Sequence, residues 1–338
     1  MRLRLSSVPL ALIAAVTLFT CFTPLAQAQT PARDEVTLRL AWIPGFGGDQ
    51  LPFFLGQALG FYRDAGIDLK IVEGKGAAPN AALLAQKSEQ FSIIDGSVLA
   101  LSVGQGLPIR SVGTLVQQAP FDLIFNTASG IKTLADLQGK TVGLQPGEAM
   151  TALFNTLLIS NKIDPKTVKV VAINPANKPQ VLYQGQVDVV GGYVTGDYYR
   201  VKLGAPAGMN IDQITYVDYG ISTVSASVAA HNDLIKQNPG LVKRFMAATV
   251  RSWEYARKNP NEAVEHTLKA APKANRVFLT ETLGWTLKLA QTPRSAGKPM
   301  GWTSEADWTA TLDLLEKHVE LKNRQPVSTY FTNEFIPQ

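Results

Sequence analysis

An α/β fold of two lobes is the class this sequence of 338 residues predicts, and three observations carry it. Strand-like and helix-like stretches alternate through the first two thirds, the order that places helices on the faces of a parallel sheet. Residues 42–73 read as strand end, open loop, amphipathic helix, tight turn and second strand. That order sets a loop above the ends of the strands, where such sheets bind small ligands. A second run of strand, helix and strand starts near Phe121, and the last third turns mostly helical. A chain of this length makes about two domains.

Residues 36–42 alternate as a strand, 52–62 carry apolar side chains at helical spacing, and 69–72, 91–94 and 109–116 read as further strands. Residues 80–85, after Pro79, form a helix packed between two of them. In the second unit 123–125 is a short strand. Thr133 and Asp136 have the spacing of a helix N-terminal cap, and Gly139 stands just past that helix's end. A strand at 140–144 and a helix at 150–160 precede strand, helix and strand at 168–173, 179–183 and 187–190. Strands at 214–217 and 223–229 lead back to the first lobe. Beyond His231, Val242, Phe245, Met246, Thr249 and Trp253 share one helix face, punctuated by Asn238-Pro239 and Asn259-Pro260, because proline suits a helix's first turn and disfavours helix just before it. Helices follow at 262–269, 279–290 and 305–318, and the chain shows no internal repeat of solenoid period.

The N-terminus reads as an export signal. Arg2 and Arg4 form a basic start, residues 9–22 are apolar but too short and wrongly flanked for a stable membrane span, and Ala26-Gln27-Ala28 is a small-x-small cleavage site. Removal of residues 1–28 leaves 310 residues. An anchor helix is the lesser alternative. Lipid anchoring at Cys21 is another, but Phe19 and Thr20 fit a lipoprotein cleavage box poorly, so soluble export is expected. No other segment is long and apolar enough to span a bilayer. Cys21 is the only cysteine, so the processed chain has no disulfide, thiolate metal site or cysteine nucleophile. The net charge is +5, of which the leader carries +2. With no basic run or aromatic–basic stripe, no nucleic-acid partner is expected.

The opening segment, with Gly60-Phe61-Tyr62 closing its helix and Ala65-Gly66-Ile67-Asp68 as its turn, resembles the start of the solute-binding proteins of ABC importers. The resemblance continues through residues 91–96, Gly106-Leu107-Pro108-Ile109, residues 137–143, residues 238–245 and the tail 330–337, and so covers nearly all of the processed chain. It is nearest to the thiamine-pyrimidine precursor binding (NMT1/THI5-like) family, with nitrate, taurine and alkanesulfonate binders as cousins. The resemblance implies a two-lobed periplasmic binding protein of type II topology, with parallel or mixed sheets and a ligand cleft between lobes. Lobe I is expected from residues 34–119 and 220–338, and lobe II from 120–219. Two crossovers would join the lobes, and the cleft would close on ligand, a standard motion for such proteins. The implied partners are a small-molecule ligand and an inner-membrane ABC permease with a separate ATPase subunit, the binding protein itself being a monomer without cofactor.

Such a cleft needs a few placed polar groups on a preformed surface. Trp42, at the expected end of the first strand, serves either to stack on a flat ring or as core. Phe46 and Asp49 lie in the next loop. Asp49 either accepts from a ligand amino group or caps the helix near Pro52. Gly76 and Ala77, beside Lys75, offer backbone N–H groups at a helix start. Asp95 and Ser97 end the next strand, Asp95 as an acceptor and Ser97 as a ligand contact or helix cap. In the second lobe Gly147 and Glu148 occupy the turn that faces the cleft in relatives, and Glu148 near a helix start gains from the dipole. Tyr193 is an aromatic wall, with Asp197, Tyr198 and Tyr219 as rim or hinge candidates. Trp253, Trp285, Trp302 and Trp308 read as packing residues.

A carboxylate at position 148 suits an amine or amidine-like heterocycle better than a sulfonate or nitrate, so an aminopyrimidine precursor of thiamine is the preferred ligand. A small anion such as an alkanesulfonate, taurine, nitrate or aromatic carboxylate is the first alternative. A pyrimidine synthase is the second, since homologous eukaryotic proteins make the pyrimidine by consuming their own histidine and a lysine-bound pyridoxal phosphate. Here the histidines are His231, His266 and His318, all in the last third. No nucleophile elbow, Walker loop or His-Glu-x-x-His stands in the sequence, and the histidines lack zinc-ligand spacing, so neither an enzyme nor a metal site is expected. A binding subunit serving a sensor is a third alternative.

Overall fold

The computed structural model describes residues 33–146, 148–319 and 321–338. The predicted signal peptide, Cys21 and Gly147 therefore lie outside the described residues. The first part of the chain runs β1 (Asp34–Arg39), α1 (Leu51–Ala58), α2 (Phe61–Asp64), β2 (Ile67–Val72), α3 (Ala77–Ala85), β3 (Phe91–Asp95), α4 (Gly96–Gly104) and β4 (Ile109–Thr114). Then come β5 (Phe121–Asn126), β6 (Thr141–Leu144), α5 (Ala149–Ser160), β7 (Lys169–Ala172), α6 (Lys178–Tyr183), β8 (Val189–Tyr193), α7 (Asp197–Leu203) and β9 (Ile211–Thr215). The chain closes with β10 (Ala226–His231), α8 (Asn232–Gln237), α9 (Pro239–Lys258), α10 (Pro260–Ala270), α11 (Arg276–Leu289) and α12 (Glu305–His318).

Two five-stranded sheets share one ordering: β2-β1-β3-β10-β4 in lobe I and β7-β6-β8-β5-β9 in lobe II. Neither is wholly parallel: both are mixed, one of the two arrangements expected. β10 runs antiparallel between β3 and β4, and β5 runs antiparallel between β8 and β9. The reason lies in the crossovers: each antiparallel strand enters its sheet from the other lobe and so points against the strands laid down by local β–α–β connections. The two crossovers pair with each other, Ala119 N–H donating to Thr223 O at 2.8 Å and Ser225 N–H to Val116 O at 3.1 Å.

Local chemistry explains where elements stop. The helix expected over 52–62 breaks at Gly60, whose φ of +79° is left-handed, giving α1 and α2. Thr133 and Asp136 form a reciprocal capping box, but only on a four-residue 3-10 turn. The face of α9 predicted to be apolar is buried throughout, with Phe245 stacked on Phe91 of β3 at 3.9 Å. Trp253 and Trp308 are fully buried core, as read. Trp285 is not: it is partly buried and bonded to lobe II, as described below. No helix among the described residues is long and apolar enough to cross a membrane.

Candidate functional site

A cavity of about 490 Å³ opens between the two sheets. The lobe I wall starts in the loop after β1. Trp42 keeps 43% of its surface exposed, so it is a wall residue and not core. Its indole lies 6.1 Å from the Phe46 ring, and a Cβ at Gly76 would sit 3.4 Å from it. Glycine at 76, with φ of +102°, thus lets the α3 turn pass close under the indole. Gly48 serves the same loop differently, since a Cβ there would meet the Thr282 carbonyl of α11 at 2.2 Å. Asp49 lines the cavity, while Gln50 holds the N-cap position of α1 without a side-chain bond, so Asp49 does not cap that helix. Burial pushes its carboxyl up to about 6, against a smaller lowering by a backbone hydrogen bond.

Gly76, Ala77 and Asp95 also line the cavity. Asp95 caps α4: its Oδ1 accepts from Ser97 N–H at 2.9 Å, and its Oδ2 accepts from Ser225 Oγ at 2.9 Å. Burial raises its proton affinity despite those bonds. Ser97 falls outside the lining and caps nothing. It is fully buried, and its hydroxyl donates to Thr223 Oγ1 at 2.8 Å.

The lobe II wall is built on charge. Glu148 holds the N-cap position of α5, yet its side chain makes no cap bond and turns instead toward Lys178, Oε1 lying 3.7 Å from Nζ. Burial pushes Glu148 up to about 7, partly offset by the Lys178 ammonium and reinforced by Asp197. Lys178 is 1% exposed and donates to Asp197 Oδ2 at 3.0 Å. Arg200, one helical turn on, donates to Asp197 Oδ1 at 2.7 Å and lies 5.7 Å over the Phe46 ring. Behind them Asp122 of β5 is fully buried with neither oxygen bonded among the described residues. Burial, then the Asp197 charge, holds its carboxyl well above the usual carboxylate range. Tyr193 forms the aromatic side of this wall, edge-on to Phe121 at 5.6 Å. Burial and the nearby Glu148 raise its hydroxyl well above the ordinary tyrosine value. Among the described residues no group of His, Cys, Asp and Glu is arranged to hold a metal ion.

The lobes touch across the cavity mouth. Gly48 N–H donates to Thr195 O at 3.4 Å. Trp285 Nε1 of α11 donates to the Tyr199 hydroxyl of α7 at 3.2 Å, and that hydroxyl donates to Glu281 at 3.0 Å. Lys178, Arg200 and Asp122 were missed as site residues, and α7 itself was not predicted. A usable signal existed for Asp122, a carboxylate inside the apolar run Phe121-Asp122-Leu123-Ile124-Phe125. None existed for Lys178, whose helix start resembles any solvated turn.

Two mixed α/β sheets in this order, closed over a cleft, define the class of two-lobed periplasmic binding protein folds. The alkanesulfonate-binding protein SsuA from Xanthomonas axonopodis pv. citri shares that fold with a TM-score of 0.66, at 15% identity over 90% of this chain and 99% of that one. The chain belongs to the family described as NMT1/THI5 like, which matches residues 48–263. Among its relatives is the riboflavin-binding protein RibY of Chloroflexus aurantiacus, 25% identical over 100% of this chain and 99% of that protein. The 4-amino-5-hydroxymethyl-2-methylpyrimidine phosphate synthase of Legionella pneumophila is 26% identical over 92% and 95%. The formylaminopyrimidine-binding protein of Halalkalibacterium halodurans is 24% identical over 94% and 94%. These relatives thus include proteins named for binding and one named for synthesis.

Proposed function

We propose that this protein is the exported solute-binding component of an ABC importer, capturing a small nitrogen heterocycle of the aminopyrimidine class and presenting it to an inner-membrane permease with a separate ATPase subunit. The observation that carries this reading is the pairing of stacking surfaces, Trp42 and Tyr193, with the carboxyl groups of Asp49 and Glu148 in one closed cavity. Rings that carry amino groups match aromatic faces and acceptors. The formylaminopyrimidine-binding relative supports it. The synthase reading needs a reactive histidine at the cleft, and none lines it: His231 caps α8 at the far end of β10, and His266 and His318 sit on α10 and α12. Trp42, Phe46, Asp49, Gly76, Ala77, Asp95, Glu148 and Tyr193 are proposed as the ligand contacts, and export as a monomer through the leader at 1–28 belongs to the same proposal.

Cavity size favours a second reading. A cavity of about 150 Å³ holds a benzene ring, and this one is about 490 Å³. A fused two- or three-ring heterocycle, flavin-like, therefore also fits, in keeping with the riboflavin-binding relative. Thermal shifts against aminopyrimidines, riboflavin, sulfonates and nitrate test both. A ligand at a hundred times its dissociation constant adds about 2.7 kcal/mol, or a melting rise of about 4 °C for a cooperative unit of about 300 residues. A shift with aminopyrimidines alone is the expected result. A shift with riboflavin alone selects the second reading, and a shift with an anion alone overturns both.

A further inference from the structure

The buried ammonium of Lys178 is the feature the binding reading leaves unexplained. A lysine at a helix start normally keeps its head in water, yet this one is 1% exposed and faces the cavity. It donates to Asp197 at 3.0 Å and lies 3.7 Å from Glu148 Oε1, while Glu148 Oε2 is buried with no hydrogen-bond partner among the described residues. We propose that Lys178 is the specificity-determining residue of the lobe II wall: standing between Glu148 and Asp197, it favours the carboxylate form of Glu148, so that the wall takes a ligand edge with adjacent N–H donors, as in an amidinium or a ring-protonated aminopyrimidine, and turns away anions. This rests on the heterocycle reading of the site and names the residue that enforces it.

The argument is one of charge balance. Facing Glu148 are Lys178 from α6, Asp197 and Arg200 from α7, Asp122 from β5 and the Tyr193 hydroxyl from β8, with Asp95, Asp49 and Lys75 on the lobe I wall. Arg200 is engaged with Asp197, so Lys178 is the cation nearest Glu148. Two carboxyls sharing a buried site without a cation do not both ionise; one keeps its proton. A protonated Glu148 would offer an O–H donor to the cavity and reverse the polarity of that edge. The ammonium favours the form in which Oε2 is an acceptor, and a buried acceptor left without a donor is costly, which gives a donor-bearing ligand its advantage. An anion would meet the same oxygen with like charge and find the ammonium already committed to Asp197.

Titration calorimetry of the wild-type protein, Lys178→Met and Glu148→Gln tests this, using 4-amino-5-hydroxymethyl-2-methylpyrimidine and methanesulfonate as probes. The wild type is expected to bind the pyrimidine and not the sulfonate. Lys178→Met is expected to bind it at least about tenfold more weakly at about pH 7, with the loss narrowing as the pH rises to about 9. Glu148→Gln is expected to weaken binding at every pH with a flat profile, and it carries the test if Lys178→Met shows no folding transition. A Lys178→Met loss equal at both pH values marks a merely structural lysine and overturns the proposal, as does wild-type affinity and pH profile in Glu148→Gln. Sulfonate binding by the wild type without pyrimidine binding defeats the heterocycle reading itself, and shows before any variant is made.

Discussion

Trp42 carries little of the fold and, on the proposed function, much of the affinity. With 43% of its surface exposed and its ring resting on Phe46 and the Gly76 turn, its removal leaves the core intact. Trp42→Ala is expected to change stability by less than about 0.5 kcal/mol and to weaken heterocycle binding by about 1–3 kcal/mol, the scale of base–aromatic stacking. Calorimetry beside a thermal melt separates the two, and equal losses in both would return Trp42 to the core. Glu148 shows the opposite balance. Folding raises its pKa from 4.5 to about 7, so the folded protein holds that proton more tightly than the unfolded chain. Its contribution to stability is therefore greatest below about 4.5, falls as pH rises to about 7, and is constant above; the fall is on the order of 3 kcal/mol. Glu148→Gln is expected to flatten the stability curve across that window, as read from urea denaturation at a series of pH values. An unchanged slope would show that Glu148 is not the group responsible. Trp42, Asp49 and Glu148 were legible because each follows an expected strand or precedes an expected helix. Lys178 was not, because its ion pair with Asp197, itself read only as a rim or hinge candidate, exists only once the eighteen residues between them have folded.

At the scale of elements, α7 is the informative case. Its seven residues begin after Gly196 with Asp197-Tyr198-Tyr199-Arg200, a polar and aromatic run with no apolar stripe of helical period, so the sequence reads as rim or turn. Tertiary contact makes it a helix: Val201 is fully buried, Tyr198 nearly so, and Tyr199 reaches α11 in the other lobe. The strands were legible as apolar runs, but their direction was not, since β5 and β10 take theirs from the crossovers. α7 joins two tasks, Asp197 facing the cavity and Tyr199 holding the lobes together. Tyr199→Phe deprives the Trp285 N–H and Glu281 of their partner. It is expected to cost about 0.5–1.5 kcal/mol of closure and so to weaken binding about three- to tenfold without touching ligand. Small-angle scattering of the ligand-free variant should give a larger radius of gyration than wild type. An unchanged radius together with unchanged affinity would show that the Tyr199–Trp285–Glu281 contact does not hold the closed state.

At the scale of the whole molecule the question is whether two sheets make two folding units. Three features tie them. One apolar cluster includes Leu38, Phe91 and Phe245 of lobe I together with Ile124, Val190 and Val201 of lobe II. Leu314 of α12 packs against the lobe II cluster, while Trp308, Leu312 and Leu315 of the same helix fill a lobe I cluster. The crossovers are bonded to each other, so neither sheet is released without breaking the other's connection. A shared core makes partial unfolding expose apolar surface on both sides, which favours a single cooperative transition even in a chain well above the size at which two-state behaviour is usual. The distribution of tryptophan makes this measurable without labels. All five tryptophans, at 42, 253, 285, 302 and 308, lie outside residues 120–219, so fluorescence follows mainly lobe I and, through Trp42 and Trp285, its contact with lobe II. Far-ultraviolet circular dichroism follows the helices and strands of both lobes. The two melting curves of the ligand-free protein are expected to coincide. A circular-dichroism transition that begins below the fluorescence transition would mean that lobe II melts first, and that the shared cluster contributes less than the packing within each sheet. Saturating ligand, bridging both walls of the cavity, would then draw the two transitions together, because a ligand that needs both lobes stabilises neither alone.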